Sequence, residues 1–380
     1  MSTNLTPEDF GHISQGYHTD PARSLSLLAD AYTAPRWYDV DLAAIISTSW
    51  QWVCHAEKLR EPGAWLTIEI AGNPLIVVRD REGELRAFYN VCKHRAMRLL
   101  EGEGKANLIT CPYHGWTYDL AGSLVRAPET DHVIGFEPRE ICLESVRVEE
   151  FCEFVFVNLD PRAGPLARQS GGLADEMRNF APDLDRLTFA HRLKYEIHSN
   201  WKNVVDNFLE CYHCPVAHKD FCSLVDMDTY RVTTHGIYSS HMAEAGKSAN
   251  SAYSVVNATV RDHAVWWLWP NTCFMRYPGR GNMIVMQIIP AGPELTLETY
   301  DFFLETAEPN ADEMEAITYL DTVLQAEDIW LVENIQKGMG TSAFRQGRIV
   351  FDPTGSGKSE HAVHHFHGLV LDAYSRMVTA

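Results

Sequence analysis

The sequence predicts an α+β protein built from two antiparallel β-rich domains, and three observations support this fold class. Apolar residues alternate with a period of two through most of residues 40–160, which is the pattern of half-buried strands. A stretch rich in Pro, Gly, Ala and Arg follows at 161–172 and indicates a linker. Beyond it, a second group of strands lies between two helical patterns, which favours a sheet packed on a helix.

A chain of 380 residues has room for about two or three domains. We predict a mostly irregular lead-in at 1–39, a small antiparallel β domain at 40–160 and a larger α+β domain at 161–380. Strands of the small domain are predicted at 65–70, 74–79 and 85–91, with a turn at 80–83. In the larger domain, helices are predicted at 201–212 and 311–338, and strands at 265–269, 273–277, 283–289 and 295–304.

Composition excludes several classes of function. The formal charge is -19, with 51 acidic and 32 basic residues, so nucleic-acid binding, which requires clustered Lys and Arg, is not expected. No apolar run reaches the roughly 20 residues that cross a bilayer. The first 20 residues lack the basic start and apolar middle of a signal peptide, so we expect a cytoplasmic protein. In that compartment the nine cysteines are expected to be buried thiols or metal ligands rather than disulfides.

Two short segments pair cysteine with histidine. Cys92-Lys93-His94 is followed after sixteen residues by Cys111-Pro112-Tyr113-His114, and each segment comes directly after a predicted strand. Two thiolates and two imidazoles can hold either a tetrahedral zinc or a [2Fe–2S] cluster with two Cys on one iron and two His on the other. Zinc sites of this composition usually pair Cys with Cys and His with His, whereas each segment here has one of each. The spacing therefore favours the iron–sulfur cluster.

A second group of candidate ligands lies in the larger domain. His213 and His218 are five residues apart, and Pro215 between them forces the chain to turn, which can bring both imidazoles to one point. Two His and one carboxylate on one face of Fe(II) leave open positions for O2. Asp328 falls on an apolar stripe of the long predicted helix, where an unpaired carboxylate is costly, so we predict it as the third ligand. Asp321 lies on nearly the same stripe and is the competitor.

The sequence resembles the terminal oxygenase (alpha) subunits of Rieske non-haem iron oxygenases, specifically the carnitine and glycine-betaine type. The resemblance is carried by Cys111-Pro112-Tyr113-His114-Gly115-Trp116 and by residues 200–218, and it extends from Trp50 to about Tyr374. It implies a Rieske [2Fe–2S] domain of antiparallel strands followed by a helix-grip catalytic domain, in which an antiparallel sheet wraps a long helix.

The resemblance also implies roles for individual residues. The predicted ligands are Cys92, His94, Cys111 and His114 for the cluster, and His213, His218 and Asp328 for a mononuclear Fe(II). Glu210 is implied to be a catalytic bridge that links His213 to His114 of a neighbouring subunit, because a carboxylate can accept an N–H from each imidazole. A bridge between subunits implies a head-to-tail ring such as a homotrimer.

The implied reaction uses O2 and electrons from NAD(P)H to hydroxylate a small substrate. We expect a quaternary or tertiary amine such as carnitine or a betaine, held by cation–π attraction to Trp267 and Trp269, with Tyr212 and Phe208 as further candidates for the pocket. The alternative for the tryptophan residues is aromatic packing in the core. The alternatives are oxygenation of an aromatic ring, and a non-catalytic iron–sulfur electron carrier or a structural zinc protein. No G-x-G-x-x-G segment opens a strand–helix unit, so a separate flavin and iron–sulfur reductase is expected to supply the electrons.

Overall fold

The computed structural model describes residues 3–246 and 250–379. Ile46–Arg168 forms one compact unit, and the described residues of 1–45 and 169–380 form a second, larger unit. The residues of the predicted lead-in therefore belong to the larger unit, while the limits 1–39, 40–160 and 161–380 remain a prediction of where domains begin and end. Among the described residues, no helix has the length and apolar character needed to cross a membrane.

The smaller unit is built from antiparallel strands. Its strands are β1 (Gln51–His55), β2 (Ala64–Ile70), β3 (Asn73–Arg79), β4 (Leu85–Tyr89), β5 (Glu103–Lys105), β6 (Ile109–Thr110), β7 (Thr117–Tyr118), β8 (Leu124–Arg126), β9 (Ser145–Phe151) and β10 (Phe154–Asn158). A seven-stranded sheet has the order β1-β10-β9-β4-β3-β2-β5, and a three-stranded sheet has the order β6-β7-β8. The predicted hairpins of this unit are confirmed.

The turn between β2 and β3 sets the register of this sheet. Ala71 and Gly72 have φ values of 48° and 74°, and Ile70 pairs with Asn73 across the turn. Positive φ at both central residues is the geometry of a two-residue hairpin turn whose twist matches that of the strands. This register points Ile76 into the core.

The larger unit contains a seven-stranded antiparallel sheet of order β11-β17-β16-β15-β14-β13-β12. Its strands are β11 (Thr188–Ile197), β12 (Arg231–His235), β13 (Tyr238–Ala243), β14 (His263–Leu268), β15 (Thr272–Arg276), β16 (Asn282–Gly292) and β17 (Leu295–Leu304). The α-helices of the chain are α1 (Pro7–Ile13), α2 (Asp30–Thr33), α3 (Pro35–Ala44), α4 (Leu166–Gln169), α5 (Leu173–Phe180), α6 (Trp201–Phe208), α7 (Cys214–Ala217), α8 (Phe221–Leu224), α9 (Ala311–Tyr319), α10 (Ala326–Met339) and α11 (His361–Ser375). An antiparallel sheet packed against helices confirms the α+β prediction, and α6 packs against both β16 and α10.

The long C-terminal helix differs from its prediction in one respect. A π-helical segment, Leu320–Gln325, joins α9 to α10. A π turn holds more residues than an α turn, so it shifts the buried face of the following helix along the sequence. The buried residues of α10 are Val332 and Gln336, whereas Ile335, seven residues after Asp328 and on the same stripe of an ideal helix, is 42% exposed.

Two other boundaries were predicted wrongly. The lead-in is not irregular, because α1 and α2 form within it, and Thr6 caps α1 by accepting a hydrogen bond from the N–H of Asp9 at 3.1 Å. The predicted helix at 201–212 ends at Phe208. It ends there because the carboxylate of Glu210 accepts the backbone N–H groups of Tyr212 and His213, which makes a turn in place of a further helical turn.

Candidate metal centres

Two loops of the smaller unit each present one cysteine and one histidine. Cys92 and His94 follow β4, and Cys111 and His114 lie between β6 and β7. Both thiols are buried in the core of the unit, whereas both imidazoles are exposed, with ring centroids 4.6 Å apart. The indole of Trp116 stacks on His94 with ring centroids 4.9 Å apart and holds that imidazole in place.

Backbone hydrogen bonds shape the second loop around its sulfur. The N–H of Cys111 donates to the carbonyl of Trp116 at 2.7 Å, and Gly115, with φ of 71°, lets the chain reverse between them. Burial raises the pKa of the Cys111 thiol, while hydrogen bonds from the N–H groups of Tyr113 and His114 lower it. These N–H groups therefore stabilise the thiolate form that binds a metal.

The four side chains do not converge on one point. Within the described residues, the only group of three or more His, Cys, Asp or Glu side chains with ligand atoms inside 4.8 Å of one another lies in the larger unit. A tetrahedral zinc holds its four ligands at about 2.0–2.3 Å, so they must crowd around a single position. The wider spread of the two loops fits a cluster of two irons, each with its own pair of ligands.

The one convergent group consists of His213, His218 and Asp328. Nε2 of His218 lies 3.0 Å from Nε2 of His213 and 3.0 Å from Oδ1 of Asp328, and the remaining distance, from His213 Nε2 to Asp328 Oδ1, is 3.6 Å. Two imidazoles and one carboxylate on one side of a common point are the donor set of mononuclear iron(II) sites with open positions. The structure thus brings together the three side chains that the sequence predicted.

Two further carboxylates orient the imidazoles. Oε1 of Glu210 lies 2.5 Å from Nδ1 of His213, and Oε2 of Glu327 lies 2.7 Å from Nδ1 of His218. Burial disfavours the charged form of His218, but its hydrogen bonds to the carboxylates of Asp328 and Glu327 raise its pKa to about 9. Holding each Nδ1–H in this way turns both Nε2 atoms toward the common point, as in other metal sites.

Asp321, the competing third ligand, lies elsewhere. It accepts a hydrogen bond from the hydroxyl of Tyr195 at 2.9 Å and is not a member of the convergent group. Asp321 lies within the π-helical segment, whereas Asp328 follows that segment. In an ideal α-helix, Asp321 and Asp328 would lie on nearly the same face. The π-helical segment changes the angle between their side chains, so only Asp328 faces the site.

Cys211, which lies in the turn between α6 and α7, forms a disulfide with Cys214, the first residue of α7. The expectation that none of the nine cysteines forms a disulfide is wrong for this pair, while the other seven are free thiols. The disulfide can form because the turn before α7 brings the Cα atoms of Cys211 and Cys214 to 4.9 Å from each other.

A cavity of about 100 Å³ borders the convergent group. Its walls are largely apolar and aromatic, with Phe208, Phe221 and Tyr300 among the lining side chains. No Lys or Arg occurs among the described residues that line it. Burial lowers the pKa of His263, which lines the same cavity, to about 4, so this imidazole is neutral near pH 7.

Comparison with known proteins identifies the family. Residues 184–376 match the catalytic domain of the ring-hydroxylating alpha subunit, and residues 49–138 match the Rieske [2Fe-2S] domain. The oxygenase subunit of carnitine monooxygenase from Escherichia coli (strain K12) is 37% identical over 374 residues, which cover 98% of this chain and 99% of that protein. The chain belongs to the family of Rieske oxygenase alpha subunits.

Two further relatives agree with this assignment. The chloroplastic choline monooxygenase of Amaranthus tricolor is 32% identical over 344 residues, covering 88% of this chain and 75% of that protein. The solved structure of a quaternary ammonium Rieske monooxygenase, described in connection with carnitine oxidation and inter-subunit electron transfer, has a TM-score of 0.87 and 34% identity. It covers 98% of this chain and 100% of its own. The chain is therefore an oxygenase, and the alternatives of an electron carrier or a structural zinc protein are wrong.

Rieske oxygenase alpha subunits carry a [2Fe–2S] cluster and a mononuclear iron, so both predicted cofactors are confirmed. The residues fit both groups. The smaller unit offers two buried sulfurs and two exposed imidazoles that do not converge on one point, and the larger unit offers two nitrogens and one carboxylate oxygen that do.

The structure contradicts part of the predicted substrate pocket. Of the four predicted aromatic residues, Phe208 lines the cavity, whereas Trp267, Trp269 and Tyr212 do not. Tyr212 lies in the turn after α6 and is 50% exposed. Trp267 is fully buried, and its ring packs on Phe366 of α11 with centroids 5.6 Å apart. Trp267 shares a sheet face with the cavity but lies at an end of β14 that α11 covers.

Other residues of the site were missed. Glu298, Tyr300 and Gln325 line the cavity, and Glu327, which lies off the apolar stripe of an ideal helix, contacts His218. The alternation of β17 offered a signal for two of them, because Glu298 and Tyr300 share a strand face while Leu297, on the other face, is 41% exposed.

We expect Trp267→Ala to destabilise the larger unit without a selective effect on binding. Loss of a buried Trp removes packing worth about 3–5 kcal/mol, so the thermal midpoint should fall clearly. The matched control is Trp330→Ala, because that side chain is 66% exposed and its loss should cost no more than about 0.5 kcal/mol. If Trp267→Ala lowered the affinity for a cationic substrate more than the affinity for its neutral analogue, the purely structural role of Trp267 would be contradicted.

Proposed function

We propose that this Rieske oxygenase hydroxylates the N-methyl group, or a carbon next to the nitrogen, of a small quaternary ammonium compound of the betaine, carnitine or choline type. The observation that carries the proposal is the charge of the cavity. Glu210, Glu298 and Asp328 all line it, and no Lys or Arg occurs among its described lining residues. The relatives that act on carnitine and choline cover most of this chain and support the same substrate class.

The ligands proposed from the sequence are assigned accordingly. Cys92, His94, Cys111 and His114 would hold the [2Fe–2S] cluster, and His213, His218 and Asp328 would hold the mononuclear iron. When bound, the cluster supplies single electrons and the mononuclear iron supplies the chemistry that activates O2. Glu210 and Glu327 keep the rings of His213 and His218 in the orientation that presents Nε2 to the metal.

The side chains of the cavity have two tasks. Apolar residues such as Ile329 and Val332 keep water away from the reacting carbon. Aromatic faces, including Phe208 and Tyr300, surround a positively charged nitrogen, and each such contact is worth roughly 0.5–2 kcal/mol. A neutral aromatic substrate would leave the cavity's carboxylates without a partner, so ring hydroxylation is the weaker candidate.

The proposed reaction balances as a monooxygenation. One oxygen atom of O2 is inserted into a C–H bond of the N-methyl group, and the other leaves as water with two electrons and two protons supplied through a reductase. The hydroxymethyl product then breaks its C–N bond, which releases formaldehyde, a proton and the demethylated amine. Attack on the chain carbon that is bonded directly to the nitrogen would instead give a hydroxyl there, whose collapse to a carbonyl releases the trialkylamine and a proton.

Three finer points belong to the proposal. Electrons are taken to come from a separate NAD(P)H-dependent flavin and iron–sulfur reductase, because the sequence lacks a G-x-G-x-x-G strand–helix unit. A homotrimer is proposed because Glu210 contacts His213 within the chain and would need a neighbour's His114 to complete a bridge. A cytoplasmic location is proposed because seven of the cysteines are free thiols.

The proposal is tested by substrate-dependent O2 uptake with a surrogate reductase. Carnitine, choline, glycine betaine and γ-butyrobetaine are compared with naphthalene and benzoate, and formaldehyde and amine products are quantified. We expect O2 uptake to match product formation for at least one quaternary amine and for neither arene. Turnover of an arene alone, by protein with full iron content, would overturn the proposal.

A further inference from the structure

One buried carboxylate of the cavity has no role in the metal centre described above. Glu298 lies on the inner face of β17, is 2% exposed and lines the cavity together with Asp328. Its Oε2 accepts a hydrogen bond from Nε2 of Gln325 at 2.5 Å. Glu298 is also not one of the convergent ligand group.

The contrast with a neighbour on the same strand is informative. Asp301 is equally buried, and both of its oxygens are paired with the guanidinium of Arg192 at 2.5 Å. Glu298 has no cationic partner within the described residues. Burial, followed by the charge of Asp328, raises the pKa of Glu298 to about 8. An unpaired buried carboxylate is costly, and a positively charged ligand would remove that cost.

The surroundings hold this carboxylate in a fixed position. The hydroxyl of Tyr300 donates to Oε1 of Gln325 at 2.5 Å, and the amide of Gln325 donates in turn to Glu298. Gln325 is the last residue of the π-helical segment, three residues before Asp328. The same segment that sets the phase of the proposed iron ligand therefore also positions Glu298, and Tyr300 adds an aromatic ring beside it.

We propose that Glu298 is the specificity-determining residue that recognises the cationic nitrogen of the substrate, and that the preferred substrate is a small quaternary ammonium cation without a carboxylate group. The inference rests on the proposed function and narrows its substrate class. Electrostatics support it, because a positive charge beside Glu298 would favour the ionised form that burial and the charge of Asp328 otherwise disfavour.

The preference for a substrate without a carboxylate group follows from the absence of Lys and Arg among the described lining residues. His263 cannot take the place of a cation, because burial lowers its pKa to about 4. The carboxylate of a zwitterion would thus enter the cavity without a cationic side chain to pair with. Choline should therefore bind more tightly than glycine betaine, which carries the same trimethylammonium group.

The test is equilibrium binding to the iron-loaded protein by calorimetry without O2, so that no turnover occurs. The ligands are choline, its neutral carbon analogue with a carbon atom in place of nitrogen, and glycine betaine. In Glu298→Gln, which keeps the size and the hydrogen bond to Gln325, we expect choline affinity to fall by about 30-fold or more. The neutral analogue should change by less than about threefold, and Glu196→Gln, on the exposed side of β11, should leave both ligands unaffected.

Conservative and metal controls complete the experiment. Glu298→Asp should retain a preference for choline over the neutral analogue, and the iron content and cluster absorption of every variant are measured first. Equal losses for choline and the neutral analogue in Glu298→Gln would overturn the role of Glu298, and glycine betaine binding as tightly as choline would overturn the substrate preference. Failure of the proposed function is distinct: wild-type protein would bind choline but oxidise no quaternary amine.

Discussion

Asp328→Ala will remove the mononuclear iron and abolish oxygenation while the absorption of the Rieske cluster stays unchanged. Asp328 supplies the only carboxylate oxygen of the convergent group, 3.0 Å from Nε2 of His218. Two neutral imidazoles alone bind iron(II) weakly, so the iron content should fall from about three per chain to about two. Because the proposed cluster ligands lie in the smaller unit, the cluster spectrum should not respond.

The matched control for this prediction is Asp321→Asn. Asp321 is the acidic residue that competes with Asp328 in the sequence, and it bonds to Tyr195 rather than to the site. This variant should keep about three irons per chain and most of its activity. If iron remained after Asp328→Ala and disappeared after Asp321→Asn, the assignment of the third ligand would be reversed.

Glu210→Gln is expected to have the second largest effect, on turnover rather than on metal content. Glutamine keeps the size of the side chain, but it replaces one carboxylate oxygen by an NH2 donor and so cannot offer a separate acceptor oxygen to each of two imidazoles. Both metals should therefore remain bound, while the multi-turnover rate should fall by more than the roughly 10–100-fold that loss of an orienting carboxylate causes by itself. Steady-state O2 uptake, with iron analysis of the same sample, measures the effect.

Glu327→Gln is the matched control, because Glu327 holds Nδ1 of His218 as Glu210 holds Nδ1 of His213. If orientation were the whole role of Glu210, the two variants would lose similar activity. A bridge between centres predicts a much larger loss for Glu210→Gln, with product still formed in a single turnover by fully pre-reduced protein. Equal losses in the two variants would rule out the bridge.

Site residues that lie close together in the sequence were easier to predict than those that come from distant segments. The cluster loops and the pair His213 and His218 are local, since each needs only a few residues at fixed spacing and a turn. Asp328 comes from a distant helix, and its selection depended on the apolar stripe and on the resemblance to a family. The structure brings it to the site through a π-helical segment that periodicity of 3.6 residues cannot anticipate.

The aromatic residues of the predicted substrate pocket could not be identified from the sequence pattern. Trp267 and Trp269 have the composition of a cation-binding pocket, yet Phe366 of α11 covers both rings, at centroid distances of 5.6 and 6.0 Å. Glu298 has no motif around it and is nevertheless part of the cavity wall. Strand alternation tells which residues share a face, but not which part of that face a helix will cover.

By itself, the sequence determined the family, the α+β fold class, the two cofactors and the residues that were candidates to bind them, because metal sites impose spacing on residue types. Only the tertiary structure decided which carboxylates meet the histidines, which aromatic residues border the cavity and that Glu298 lies there hydrogen-bonded to Gln325. Those features depend on which side of a helix each residue occupies and on packing between segments far apart in the chain, and no local sequence pattern predicts either of them.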